Sequence, residues 1–132
     1  MNDLHARTVF CVKDAQRSLS FYTNTLDCIL DWCHEDEGKP FVFQVNMRGV
    51  ELIINQIEDH TKDRAGHGRV FIGLDDRQLD AFRQYVSDND IETEVVGWGA
   101  LTLKIQDIDK NEIFVWLPEK DREALELGRN WP

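Results

Sequence analysis

The feature that most constrains this chain is a duplication. The stretch from Arg7 to Leu26, RTVFCVKDAQRSLSFYTNTL, reads as strand, aspartate and helix, and the same order is written again from Arg69 to Asn89. In both copies an arginine opens an apolar run, an aspartate closes it (Asp14, then Asp76), and a helical pattern follows. Repetition at such a period marks one supersecondary unit built more than once, because a unit of this size cannot bury its apolar face alone.

Each copy continues in the same way. Residues 7 to 13 are β-branched and aromatic, hence a strand. Asp14 can accept from the free N–H groups of a following helix. Leu19, Tyr22 and Leu26, at i, i+3 and i+7, predict that helix over 15 to 26. Residues 28 to 35 form the next strand. A glycine and proline turn over 36 to 40 leads into FVFQVNMR, 41 to 48, the clearest period-two pattern in the chain. Arg48-Gly49 turns directly into VELIINQI. The polar stretch 58 to 68 is a linker, after which RVFIGLD restarts the pattern. Asp75 or Asp76 caps a helix carrying Leu79, Phe82, Tyr85 and Val86. IETEVV, LTLKIQDI and EIFVWLP complete three more strands, with bends at Gly97 and Gly99 and at 109 to 111. The predicted fold class is α+β: a single domain, 1 to 132, of two β-α-β-β-β modules over 5 to 58 and 66 to 118. A tail, 119 to 132, has a pattern that allows a short terminal helix bearing Trp131. Superposing the copies sets Tyr22 on Tyr85, Leu19 on Phe82, Arg7 on Arg69, and Val50-Glu51-Leu52 on Ile113-Phe114-Val115.

A formal charge of -10 and a pI near 4.7 oppose nucleic acid or an anionic membrane as partner, since both would repel the chain. The same acidity favours cationic ligands, or serves solubility alone. No apolar run approaches the roughly 20 residues that span a bilayer. Three cysteines and an N-terminal MNDLHAR without an apolar signal core lead to the expectation of a reducing compartment, the cytoplasm.

Two segments carry a resemblance. VKDAQRSLSFYTNTL, with its FY pair, and GWGALTLKIQDIDKNEIFVWLPE, with WG, a strand, D-x-D and an apolar strand, resemble the opening and closing segments of modules in the vicinal oxygen chelate superfamily. That family includes glyoxalase I, extradiol dioxygenases, fosfomycin-resistance enzymes and bleomycin-resistance proteins. The resemblance spans residues 5 to 118 and is nearest to the bleomycin-resistance branch. It implies that two modules enclose one ligand cleft, and that the protein is a homodimer.

Metal-dependent members of the family place a histidine on the first strand and a carboxylate on the last strand of each module. Carried onto this sequence, those positions fall on Arg7 and Arg69 for the histidines and on Glu51 and Phe114 for the carboxylates. A guanidinium offers no lone pair and phenylalanine has no donor atom, so only Glu51 suits a metal. The expectation is therefore no cofactor and no enzyme activity of the family's metal-dependent kind. The alternative is a divalent metal such as Zn, Ni, Mn or Fe held by His5, Glu51 and His67, with Glu112 nearby, because HAR and HGR put each histidine two residues before its arginine. The plainer reading leaves both histidines on exposed backbone.

Strand alternation then aims Arg7, Val9 and Cys11, Glu51 and Ile53, Arg69 and Phe71, and Phe114 and Trp116 into the cleft, with Trp32 and Trp98 on lining segments of uncertain face. The opposite residues, such as Phe10, Val12, Leu52, Ile54, Ile72 and Val115, pack on the helices. An aromatic pocket with Arg7, Arg69 and Glu51 suits a flat aromatic or cationic small molecule. An internal Arg-Glu-Arg cluster that neutralises itself is the structural alternative. Cys11 reads as a small buried thiol, and the spacing of Cys28 and Cys33 does not suit a zinc knuckle. Neither a glycine-rich phosphate loop nor a G-x-S-x-G elbow is present. The leading expectation is a metal-free drug-binding protein. A divergent lyase, isomerase or dioxygenase and an accessory module acting through its surface remain as competing readings.

Overall fold

The computed structural model describes residues 3–58, 63–98 and 100–118, with the side chains of 98, 100 and 101 excepted. The expectations for the tail, 119–132, and for the bend at Gly99 lie outside the described residues. The element order is β1 (Thr8–Val12), α1 (Ala15–Ser20), a π-helical turn (Phe21–Thr25), β2 (Ile29–Asp36), β3 (Lys39–Met47), β4 (Val50–Gln56), β5 (Arg69–Gly73), α2 (Asp76–Asp88), β6 (Glu94–Trp98), β7 (Ala100–Gln106) and β8 (Glu112–Trp116). This is β-α-β-β-β written twice, an α+β fold of two modules.

Each module forms one four-stranded sheet, ordered β1-β4-β3-β2 and β5-β8-β7-β6. The first strand lies parallel to the last, while the other neighbours are antiparallel. The chain divides into two compact units. The first runs through Gly68 and also takes in Asp107–Asn111, and the second comprises Arg69–Gln106 and the chain from Glu112.

In the first unit, Asp14 starts α1 by accepting from the backbone N–H groups of Gln16 and Arg17. The single helix predicted over 15 to 26 is instead six residues of α-helix followed by a wider turn, closed by a bond from Leu26 N to Phe21 O at 3.1 Å. Tyr22 and Leu26 are nevertheless both buried. They join Phe10, Val12, Phe43, Val45, Leu52 and Ile54, all fully buried and all on one face of the sheet by strand alternation. Both hairpins use two residues at positive φ, Glu37-Gly38 and Arg48-Gly49, as a twisted two-residue loop requires.

Asp107–Asn111 ties several segments of this unit together. Asp107, 5% exposed, accepts from the Tyr22 hydroxyl at 2.8 Å, from Asn111 Nδ2 at 2.9 Å, and from the backbone N–H groups of Asp109 and Asn111, both at 2.9 Å. Asn111 in turn donates to Cys11 O at 3.0 Å and accepts from Gly68 N at 2.8 Å. A side chain at Gly68 would run into the Phe10 ring and stand 2.9 Å from Asn111 Oδ1, so the close approach needs glycine there.

In the second unit Asp75, not Asp76, is the cap. It forms a reciprocal capping box with Gln78. The buried stripe of α2 is Leu79, Tyr85 and Val86, and the buried sheet residues include Leu103, Ile105, Ile113 and Val115.

Candidate functional site

Strand alternation leaves each sheet a second, open face. In the first unit it carries Arg7, Val9 and Cys11 from the β1 segment, Glu51, Ile53 and Asn55 from β4, Val42, Gln44 and Asn46 from β3, and Trp32 and His34 from β2. Val9 is 52% exposed where its neighbour Phe10 is 0%, which separates the two faces of one strand. In the second unit the equivalent face carries Arg69 and Phe71, Glu112, Phe114 and Trp116, Thr102, Lys104 and Gln106, and Glu94 and Val96. The cleft residues expected from sequence thus lie on two open faces. Trp32 is on the first, in register with Gln44. Trp98 ends β6 opposite Ala100, and its side chain lies outside the described residues.

The register corrects one correspondence. Thr8 pairs with Leu52, and Arg69 pairs with Glu112. Glu51 therefore has Glu112 as its counterpart, not Phe114. The sequence superposition runs two residues too far because the β6–β7 hairpin is shorter than β2–β3: the paired Trp32 and Gln44 stand twelve residues apart in sequence, the paired Glu94 and Lys104 ten. A slip of two preserves the face, so Phe114 still belongs to the open side.

With that correction, each open face carries a matching row of polar groups. Across the second sheet, Glu94 meets Lys104 Nζ at 3.0 Å, Lys104 meets Glu112 at 3.6 Å, and Arg69 Nε donates to Glu112 at 2.8 Å. Hydrogen bonding to Glu94, with Glu112 adding to it, holds the Lys104 amine above its ordinary pKa. The Arg69 guanidinium also stands 5.6 Å from the Phe114 ring centre, a cation–π contact. Phe71 and Trp116 pack with ring centres 5.8 Å apart.

Across the first sheet, Gln44 Nε2 donates to Asp31 and to Glu51, both at 2.8 Å, and Arg7 Nε donates to Glu51 at 3.0 Å. Asp31 enters this row because a bulge between Leu30 and Trp32 shifts the register of β2. Gln44 is only 4% exposed and, among the described residues, its Oε1 has no partner. A buried unpaired acceptor costs about 1–3 kcal/mol. Trp32 and His34 pack with ring centres 5.3 Å apart on the same face.

These rows decide how well the family's metal would fit. Both histidine positions hold arginines, and each arginine is bonded to the carboxylate that would be its fellow ligand. The donor set does not suit a metal ion. Of the alternative ligands, His5 Nε2 lies 4.0 Å from Glu51, and His67 is exposed. Among the described residues no group of three or more His, Cys, Asp or Glu side chains is arranged to hold a metal.

Asp31, Gln44, Glu94 and Lys104 join the rows without being singled out by motif or spacing in the sequence. The alternation of 41 to 48 already put Gln44 opposite Phe43, and Lys104 stands in the same relation to Leu103. The bulge that recruits Asp31 left no comparable signal.

Comparison with known proteins agrees with the fold. The model of the Glyoxalase/Bleomycin resistance protein/Dioxygenase superfamily matches residues 5–115. Among solved structures, the bleomycin-binding protein from bleomycin-producing Streptomyces verticillus, complexed with copper(II)-bleomycin, superposes with a TM-score of 0.65 at 18% identity, covering 90% of this chain and 99% of that one. TnmS3, an antibiotic binding protein from Streptomyces sp. CB03234, gives a TM-score of 0.56 at 18% identity over 90% of this chain and 100% of that one. The fosfomycin resistance protein FosX from Mesorhizobium loti gives 0.52 at 13% identity over 94% and 100%. At these identities the likeness is one of fold. No curated protein matches the sequence.

Proposed function

Because this chain belongs to the Glyoxalase/Bleomycin resistance protein/Dioxygenase superfamily, and two arginines stand where that family's metal histidines would fall, we propose that it is a metal-free binding protein for a small aromatic or cationic molecule. The observation that carries this reading is the make-up of the open faces. Val9, on the face that carries Trp32 and the Arg7–Glu51 pair, is 52% exposed, and Phe71, on the face that carries Trp116 and the Arg69–Glu112 pair, is 43% exposed. Exposed apolar surface with a few placed polar groups is what a ligand site offers. Resemblance in fold to proteins that bind bleomycin or another antibiotic supports the same class of ligand. It does not choose the compound, since one fold hosts many functions.

Two further parts of the reading have their own support. Ile29 and Leu30, 64% and 42% exposed on the edge strand β2, suit a second copy and hence a homodimer. All three cysteines are free thiols, which suits the cytoplasm. No helix among the described residues is long and apolar enough to cross a membrane.

Titration with metal-free bleomycin and with flat cationic aromatics, followed by tryptophan fluorescence and melting temperature, tests the central claim. Saturable quenching with a raised Tm is the expected result. No change with any of them would overturn it. If the protein instead retains one Zn, Ni, Mn or Fe per chain after desalting and loses it on His67→Ala, the reading becomes a divergent metal enzyme using His5, Glu51 and His67.

A further inference from the structure

We propose that the open face of the first unit holds a subsite for a protonated amine or amidinium on the ligand, formed by Asp31, Glu51 and the side-chain amide of Gln44. This rests on the binding reading above and assigns one part of it.

The second unit provides the internal reference. There two carboxylates, Glu94 and Glu112, are answered by two cations, Lys104 and Arg69, so the row is neutral as it stands. In the first unit, strand pairing puts Gln44 where the second has Lys104. Gln44 pairs with Ile53, as Lys104 pairs with Phe114. Among the described residues Asp31 and Glu51 then have one cation between them, Arg7, which bonds Glu51 and not Asp31. His5, 4.0 Å from Glu51, adds charge only when protonated. The row is short of one positive charge at the position where its counterpart has an ammonium group.

The Gln44 amide supplies an independent sign. Only its NH2 edge can face two carboxylates, so the assignment of its oxygen and nitrogen is fixed by chemistry. Oε1 is thereby left without a partner on a side chain that is 4% exposed. A ligand cation brings several N–H donors. One N–H reaches the unpaired Oε1 while Gln44 Nε2 keeps both of its bonds, and the others bond the remaining lone pairs of Asp31 and Glu51. Trp32 lies in register with Gln44 on this face, with Ile53 beyond it, so the cation is carried on a flat aromatic body.

The test compares the cation 9-aminoacridinium with uncharged acridine, at a pH just above neutral, by tryptophan quenching in wild type, Gln44→Lys, Asp31→Asn and Glu92→Gln. Gln44→Lys installs the arrangement of the second unit and adds one positive charge. Glu92→Gln alters net charge by the same one unit at an exposed residue of the other unit. Wild type should prefer the cation by about tenfold or more. Gln44→Lys should weaken cation binding by about tenfold with acridine unchanged, and Asp31→Asn by severalfold. Glu92→Gln should stay within about twofold. Melting curves check that each variant folds, and Asp31→Asn, at an exposed residue, carries the test if Gln44→Lys does not fold. Equal binding of both probes, or equal losses in Gln44→Lys and Glu92→Gln, would overturn the subsite while leaving the binding protein intact. Binding of neither probe by wild type would overturn both.

Discussion

The two open faces share a plan and differ in how they close it. On the second, every charged group of the row has an opposite partner: Glu94 with Lys104, Lys104 with Glu112, Glu112 with Arg69. On the first, an amide replaces the ammonium, a bulge supplies the outer carboxylate, and one acceptor is left unpaired. A row that satisfies itself behaves as structure. A row with unspent charge and an unpaired carbonyl is suited to a ligand. Duplication thus yields one module whose polar groups are used internally and one whose groups are still available.

The largest effect that would break this comparison is expected away from both rows, at Asp107. Four donors converge on its carboxylate, including the buried Tyr22 hydroxyl. Asp107→Ala removes every acceptor and leaves those donors buried, which should cost roughly 3–5 kcal/mol in urea unfolding. A loss under about 1 kcal/mol would mean that the Asp107–Asn111 segment does not organise the first unit.

Alkali should then weaken the first unit from about pH 9. Burial pushes the Cys28 thiol from 9.0 up to about 12, and burial together with the neighbouring Asp107 raises the Tyr22 hydroxyl well above 10.0. Both groups hold their protons more tightly folded than unfolded. The stability they contribute is complete below pH 9.0 and is lost as the unfolded chain ionises, first at cysteine and then at tyrosine. Each pH unit spent between the folded and unfolded pKa of one such group costs about 1.4 kcal/mol. Urea midpoints should fall between about pH 9 and about pH 11, and Cys28→Ala should flatten the first part of that fall. An unchanged slope in Cys28→Ala would remove the thiol from the account.

Much of this was legible from sequence because it is local. The capping Asp14, the alternation of 41 to 48 and the order of elements each depend on neighbours within one strand or turn. Alternation likewise separated Val9 from Phe10 and put Arg7 on the face of Glu51. The remainder depends on register between distant strands. Nothing between Glu94 and Lys104 announces that this pair closes over ten residues where Trp32 and Gln44 close over twelve, so counting along the chain puts Phe114 where Glu112 belongs. The bulge at Asp31 and the wide turn after Ser20 are likewise set by packing, and the role of Gln44 follows only once both of its carboxylates are in place.

The smallest effect is the most discriminating, because it applies one substitution to both rows. Glu112→Gln leaves Lys104, with 15% of its side chain exposed, facing Glu94 alone, and strips Arg69 of its bonded partner. Glu112 is itself 17% exposed, so its loss should cost about 1–2 kcal/mol, between the values for surface and buried pairs. Glu51→Gln acts on a residue 31% exposed in a row that already has surplus negative charge. Losing one carboxylate there removes the bond from Arg7 but also relieves repulsion from Asp31, so the net cost should fall below about 0.5 kcal/mol. Urea unfolding of the two variants side by side decides the matter. If Glu51→Gln costs as much as Glu112→Gln, the first row is as self-sufficient as the second, and its unspent charge is no guide to a ligand.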